Sequence, residues 1–193
     1  MEGFKMPVDA AGCCYWFTGL SGAGKTTLAL HVSEVLRRTG RTVIVLDGDR
    51  LRGGLNSDLG FAREDRRENT RRIAEVAKLL VAEGFVVLVS AISPYAEDRR
   101  AARARFESGT FHEVFVATDL ATCMARDTKG LYARACAGAL QNLTGFGDPY
   151  EPPKLPEFTI ETVQCTVAQA AAPLIEHALE SFTAELMANV SER

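Results

Sequence analysis

Between residues 19 and 26 the chain reads Gly19-Leu20-Ser21-Gly22-Ala23-Gly24-Lys25-Thr26, which satisfies G-x-x-x-x-G-K-[ST]. Glycines at this spacing let successive backbone N–H groups face one anion, and a helix starting behind them adds the positive end of its dipole. Lys25 is placed to reach the outer phosphates of a nucleoside triphosphate, and the Thr26 hydroxyl to ligate the accompanying Mg²⁺. A plain glycine turn would require neither residue. Two acids follow, Asp47 and Asp49, with Gly48 between them. In extended chain both carboxylates would share one side. One could then accept a proton from an acceptor hydroxyl while the other, Asp47, holds Mg²⁺ or its water. The competing reading is a tight strand-to-helix turn in which the aspartates cap backbone N–H groups. The apolar run at 85–89 continues into Ser90-Ala91, without the terminal acid that many ATPases use, and there is no N-K-x-D to read guanine. Arg52, Phe61, Arg66 and Asn69 come next, the last two three apart on one helix face. Such a set suits an acceptor with a phosphate-like group and a flat base. Arg63, Arg67, Arg71 and Arg72, interleaved with Glu64, Glu68 and Glu75, are expected on a solvated helix face. Arg99, Arg100, Arg103 and Arg105 are expected to be solvated too.

The elements that must hold these residues follow from hydrophobic periodicity. Residues 14–18 read as a buried strand, and Leu28, Val32, Val35 and Leu36 recur at helical spacing behind the glycine loop. Further strands are expected at 42–46, 85–89, 113–117 and 158–160. Helices are expected around Ile73, Val76, Ala77, Leu80 and Val81, and at about 96–106, 120–128 and 167–189. Strands alternating with helices imply an α/β fold, a five-stranded parallel sheet with helices on both faces. Ligands in such sheets bind beyond the carboxyl ends of the strands. That puts 19–26, 47–49, 90–94 and the stretch after Ala117 on one rim. Residues 129–156 are rich in glycine and proline and too long for a plain connection, which predicts a lid. Residues 1–12 read as a short lead-in to one domain at 13–193.

Composition narrows the partners. The chain has 193 residues and a net charge of −3, so neither nucleic acid nor an anionic membrane surface is an expected partner. The five cysteines are odd in number and lack C-x-x-C spacing, which favours a reducing cytoplasm over disulfides or zinc. His31, His112 and His177 are far apart in sequence and are expected at the surface or in packing. No signal segment or membrane-spanning run is expected.

Several blocks together resemble the adenylyl-sulfate kinases. They are the glycine loop through Thr27, Asp47-Gly48-Asp49-Arg50-Leu51-Arg52-Gly53-Gly54-Leu55-Asn56, Leu59-Gly60-Phe61 and Glu64-Asp65-Arg66-Arg67-Glu68-Asn69. Ile92-Ser93-Pro94-Tyr95 and Arg126-Asp127-Thr128-Lys129-Gly130-Leu131-Tyr132 continue the match in order. The resemblance implies a P-loop NTPase fold and transfer of the ATP γ-phosphoryl group to the 3′-hydroxyl of adenosine 5′-phosphosulfate. The product would be 3′-phosphoadenosine 5′-phosphosulfate, made in sulfate assimilation. By position, residues 19–27, Arg126 and Cys165 would meet ATP. Asp49, Arg52, Phe61, Arg66, Asn69, Ile92, Ser93, Lys129 and Leu143 would line the acceptor site, with Phe61 stacked on adenine. Lys25, Asp47, Asp49, Lys129 and Ser93 would serve catalysis. Ser93 matches a serine described as a phosphoserine in bacterial members, although direct transfer needs only positioning and charge neutralisation. A homodimer, and association with a sulfurylase, are the implied assemblies. The chain departs from the family at Cys136, usually arginine, and at Leu143, usually phenylalanine. Those two changes keep open a kinase of the same build acting on another nucleotide-like acceptor, such as a cytidine diphosphate derivative. A non-catalytic nucleotide-binding subunit beside a sulfurylase is a further alternative, opposed by Lys25, Asp49 and Lys129.

Overall fold

A computed structural model describes residues 12–191, with side chains described to residue 181, so the expected lead-in lies outside the described residues except for Gly12. Five strands form one parallel sheet: β1 (Cys13–Thr18), β2 (Val43–Asp47), β3 (Val86–Ser90), β4 (Phe111–Val116) and, after two short strands, β7 (Phe158–Ile160). Their spatial order is β2-β3-β1-β4-β7. Every strand of the expected sheet is present, its bounds within two residues of those expected.

The helices are α1 (Lys25–Arg38), α2 (Gly48–Arg52), α3 (Arg63–Ala82), α4 (Ala96–Arg103), α5 (Leu120–Arg126), α6 (Leu131–Cys136) and α7 (Val167–Ser191). The sequence pattern did not anticipate α2, which is too short to show periodicity. Residues 129–156 are less irregular than expected. They contain α6 and a small ladder of β5 (Leu143–Thr144) with β6 (Gly147–Asp148).

Alternation along the central strands divides the core in two. Tyr15 and Phe17 of β1, with Leu88 of β3, meet Leu28, Val32 and Leu36 of α1 and Leu174 of α7. Cys14, Trp16, Val87 and Val89 point to the other face, onto Ile73 and Ala77 of α3. Each large apolar side chain buried this way stabilises the fold by about 1.5–3 kcal/mol relative to exposure. His112 and His177, distant in sequence, meet on the first face with ring centroids 4.6 Å apart, and the Tyr15 hydroxyl lies 2.7 Å from His177 Nδ1. They pack, as expected, but as a cluster.

The solvated-face expectation holds for Arg71 and Arg72, which pair with Glu68, and for exposed Arg67 and Arg100. It fails for Arg99, whose side chain is 3% exposed. Helix α4 lies against the sheet, and Arg99 is on its inner side, paired with Glu113 of β4. Arg63 also departs, pairing with buried Asp98 and stacking 3.5 Å from the centre of the Tyr95 ring.

Candidate active site

The glycine loop bends into α1 through Gly24, whose φ of 108° excludes ordinary side chains. Lys25 is buried, and its ammonium donates to the carbonyls of Gly19 (2.9 Å) and Leu20 (2.7 Å). Burial, followed by the nearby Lys129 charge, pushes its pKa down to about 8. Thr26 Oγ1 donates to Asp47 Oδ2 at 2.7 Å and lies 3.0 Å from Ser90 Oγ.

Asp47 ends β2 directly opposite Ser90 at the end of β3. A carboxylate therefore stands on the strand next to the β3 end that lacks one. Its other oxygen, Oδ1, accepts from the Asp49 and Arg50 backbone amides at 3.0 and 3.1 Å, capping α2. This corrects the extended reading of 47–49. Asp47 closes a strand-to-helix turn, and Asp49 stands on the helix, not beside Asp47 on a strand. A Cβ on Gly48 would come within 3.2 Å of the Ser90 carbonyl oxygen, so glycine here permits α2 to start against β3. Thr26, Asp47 and Ser90 gather hard oxygen donors at one place and leave positions for phosphate and water, a set suited to Mg²⁺.

From the glycine loop a single cleft of about 630 Å³ runs to Phe61 and Leu143. Asp49 and Lys129 line its middle and form an ion pair. Beyond them the Arg52 guanidinium sits 4.5 Å over the Phe61 ring, which is 58% exposed. Arg66 is buried and donates to the carbonyls of Phe61 (2.9 Å) and Asn142 (2.8 Å), so it fastens the 129–156 segment to α3. Asn69 accepts from Asn56 at 3.0 Å, which leaves its own amide N–H groups for the cleft. Ile92, Ser93 and Leu143 line the same end. The Ser93 hydroxyl is drawn inward, accepting from Trp16 Nε1 at 3.0 Å and donating to the Ala91 carbonyl at 3.4 Å.

Arg126 and Cys165 line the other end of the cleft, where Arg126 donates to Thr162 Oγ1 (2.9 Å) and to the Thr162 carbonyl (2.8 Å). Ser21, Gly22, Gly24 and Thr27 contribute to the wall, whereas Gly19, Leu20 and Ala23 lie behind it. Cys136 is exposed and does not line the cleft, but Arg134 on the same helix does. Sequence reading placed Ser90 on the rim but gave it no role, and it missed Asn142 and Thr162, which lie in irregular stretches without a periodic signal.

The chain resembles known proteins in family, sequence and structure. The family model described as adenylylsulphate kinase matches residues 11–161. An adenylyl-sulfate kinase of Geotalea uraniireducens (strain Rf4) is 54% identical over 160 residues, covering 83% of this chain and 77% of the relative. The bifunctional enzyme NodQ of Rhizobium meliloti (strain 1021) is 53% identical over 148 residues, covering 77% of this chain and 23% of its own length. The solved Mycobacterium tuberculosis APS kinase CysC, in complex with AMPPNP and APS, superposes with a TM-score of 0.83 at 45% identity, covering 86% of this chain and 97% of that one. By family model, sequence and structure alike, the chain belongs to the adenylyl-sulfate kinase family.

Proposed function

We propose that the cleft transfers the γ-phosphoryl group of ATP to the 3′-hydroxyl of adenosine 5′-phosphosulfate, giving 3′-phosphoadenosine 5′-phosphosulfate. The observation that carries this reading is the cleft's continuity. Phosphate-directed amides and Lys25 lie at one end, a ring and two guanidinium groups at the other, with Asp49 between them. ATP enters with its phosphates on the glycine loop, its base toward Arg126 and Cys165. Lys25 then exchanges the Gly19 and Leu20 carbonyls for phosphate oxygens. Mg²⁺ would be held by Thr26 and Asp47 and would supply neutralisation of the charge on the outer phosphates. The acceptor lies with its base over Phe61 and its anionic group toward Arg52 and Arg66, which turns the 3′-hydroxyl to Asp49. Asp49 takes the hydroxyl proton as the oxygen attacks the γ-phosphorus, whose bond to the β,γ-bridging oxygen breaks so that ADP leaves. Lys129, released from Asp49, moves onto the transferring group and offsets its charge.

Direct transfer fits the inward-facing Ser93 hydroxyl better than a serine relay. The test is turnover with ATP, Mg²⁺ and adenosine 5′-phosphosulfate, followed by detection of the 3′-phosphorylated product. Absence of product at micromolar acceptor overturns the reading, and a melting shift with cytidine nucleotides alone would replace it. Cys14, Cys123, Cys136 and Cys165 are free thiols, which supports placing the reaction in a reducing cytoplasm. Among the described residues no helix is long and apolar enough to cross a membrane. Self-association and contact with a sulfurylase belong to the same reading, the second supported by one relative being a bifunctional enzyme. Light scattering of the purified chain checks the first.

A further inference from the structure

Arg99 is the one α4 arginine whose burial the sequence did not foreshadow, and its three donor groups go to three separate parts of the chain. Nε donates to Glu113 Oε1 of β4 at 2.6 Å. Nη1 donates to the Ser93 carbonyl at 2.7 Å, and Nη2 to the Glu151 carbonyl at 2.7 Å. Ser93 belongs to the turn that walls the acceptor end of the cleft, and Glu151 lies in the 129–156 segment, which lends Asn142 and Leu143 to the same wall. Arg99 does not line the cleft.

The surrounding contacts join the same two pieces. The Glu151 amide donates to the Pro94 carbonyl at 2.8 Å, and Glu151 Oε2 accepts from the Ala96 amide at 2.7 Å. Glu151 thereby caps α4, whose own N-cap residue, Tyr95, makes no side-chain cap. Thr18 Oγ1 donates to the Ile92 carbonyl at 2.7 Å and lies 3.0 Å from the Tyr150 hydroxyl. The turn needs this support because Ser93 has a φ of +40°, unfavourable for a residue with a side chain.

We propose that Arg99 is a positioning residue for the acceptor. It clamps the 92–94 turn to the base of the 129–156 segment, and so sets acceptor affinity without touching either nucleotide. A guanidinium can satisfy three acceptors in fixed directions, whereas an ammonium at one point cannot. A purely structural role as the partner of Glu113 would be met by lysine, particularly as Arg103 also lies 3.7 Å from Glu113. The inference rests on the acceptor reading above, and the two can fail separately.

The experiment uses the full chain and two variants, Arg99→Lys and Tyr150→Phe. The latter deletes only the hydroxyl that holds Thr18 beside the same turn. With Arg99→Lys, the acceptor KM is expected to rise about tenfold or more, as charge-assisted hydrogen bonds are lost, while the ATP KM stays within about twofold. With Tyr150→Phe, the acceptor KM rises about threefold with the ATP KM unchanged. Amide hydrogen exchange at Ala96 and Glu151 should quicken in both variants without a matching change in the amides of α1. Unchanged acceptor KM in either folded variant, or equal rises for both substrates, overturns the proposal. If Arg99→Lys does not fold, Tyr150→Phe decides alone. If the wild-type chain makes no product, the acceptor reading has failed, and hydrogen exchange still tests the clamp.

Discussion

Lys25 offers a test in which a single proton reports on the occupied cleft. In the empty site its pKa is about 8, lowered first by burial and then by Lys129. A triphosphate against the ammonium removes the reason for the depression, so the liganded lysine stays charged well above that value. Below about pH 8 the empty site is already charged, and nucleotide affinity is insensitive to pH. Above it, binding must bring in a proton, and each further pH unit costs about 1.4 kcal/mol, or tenfold in affinity. From about pH 7 to about pH 9 the dissociation constant of a non-hydrolysable ATP analogue should rise about tenfold. Titration calorimetry in buffers of different ionisation enthalpy should then find about half a proton taken up near pH 8 and about 0.9 near pH 9. Two neighbouring groups do not confuse the signal, because burial pushes the Cys123 thiol up and the Tyr132 phenol to about 12. Lys25→Met should bind weakly with a flat profile, and Lys129→Met should move the break to higher pH. Affinity that is constant over this range, with no proton uptake, would refute the argument.

Asp49→Asn should leave nucleotide affinity within about twofold and slow transfer by about a hundredfold or more, read as kcat at saturating substrates. Equal activity would remove Asp49 from catalysis. Asp47→Ala should lower stability by about 1 kcal/mol in urea unfolding through loss of the α2 cap. Asp47→Asn should recover most of that stability but not turnover, which separates capping from Mg²⁺ binding. His112 has its pKa lowered to about 4 by burial and then by His177, with Glu157 favouring and Arg103 opposing its charge. The unfolded chain takes up this proton near pH 6.5, so the contribution is complete above about pH 6.5 and lost as pH falls through about 4. Allowing for partial exposure, the loss is about 1–2 kcal/mol. His112→Phe should flatten that limb of the stability profile.

The sheet was legible because its central strands are covered on both faces and read as unbroken apolar runs. The glycine loop was legible because its chemistry is local, with every participant within eight consecutive residues. Asp47 and Asp49 were found but their geometry was misjudged. Five residues of α2 carry no helical period, and the competing cap reading depended on whether a backbone amide or a solvent molecule would meet the carboxylate. Arg99 was assigned to solvent because its local neighbours are charged. Its partners Glu113 and Glu151 lie 14 and 52 residues away, and only the fold brings them together. Arg66 shows the same limit, since its contact with Asn142 spans 76 residues.

The double engagement of Asp47 links two events that might otherwise vary independently. The carboxylate that accepts from Thr26 also caps the short helix bearing Asp49 and Arg52, both of which line the cleft. On the reading proposed above, protonating or withdrawing that one group would loosen both halves of the reaction at once.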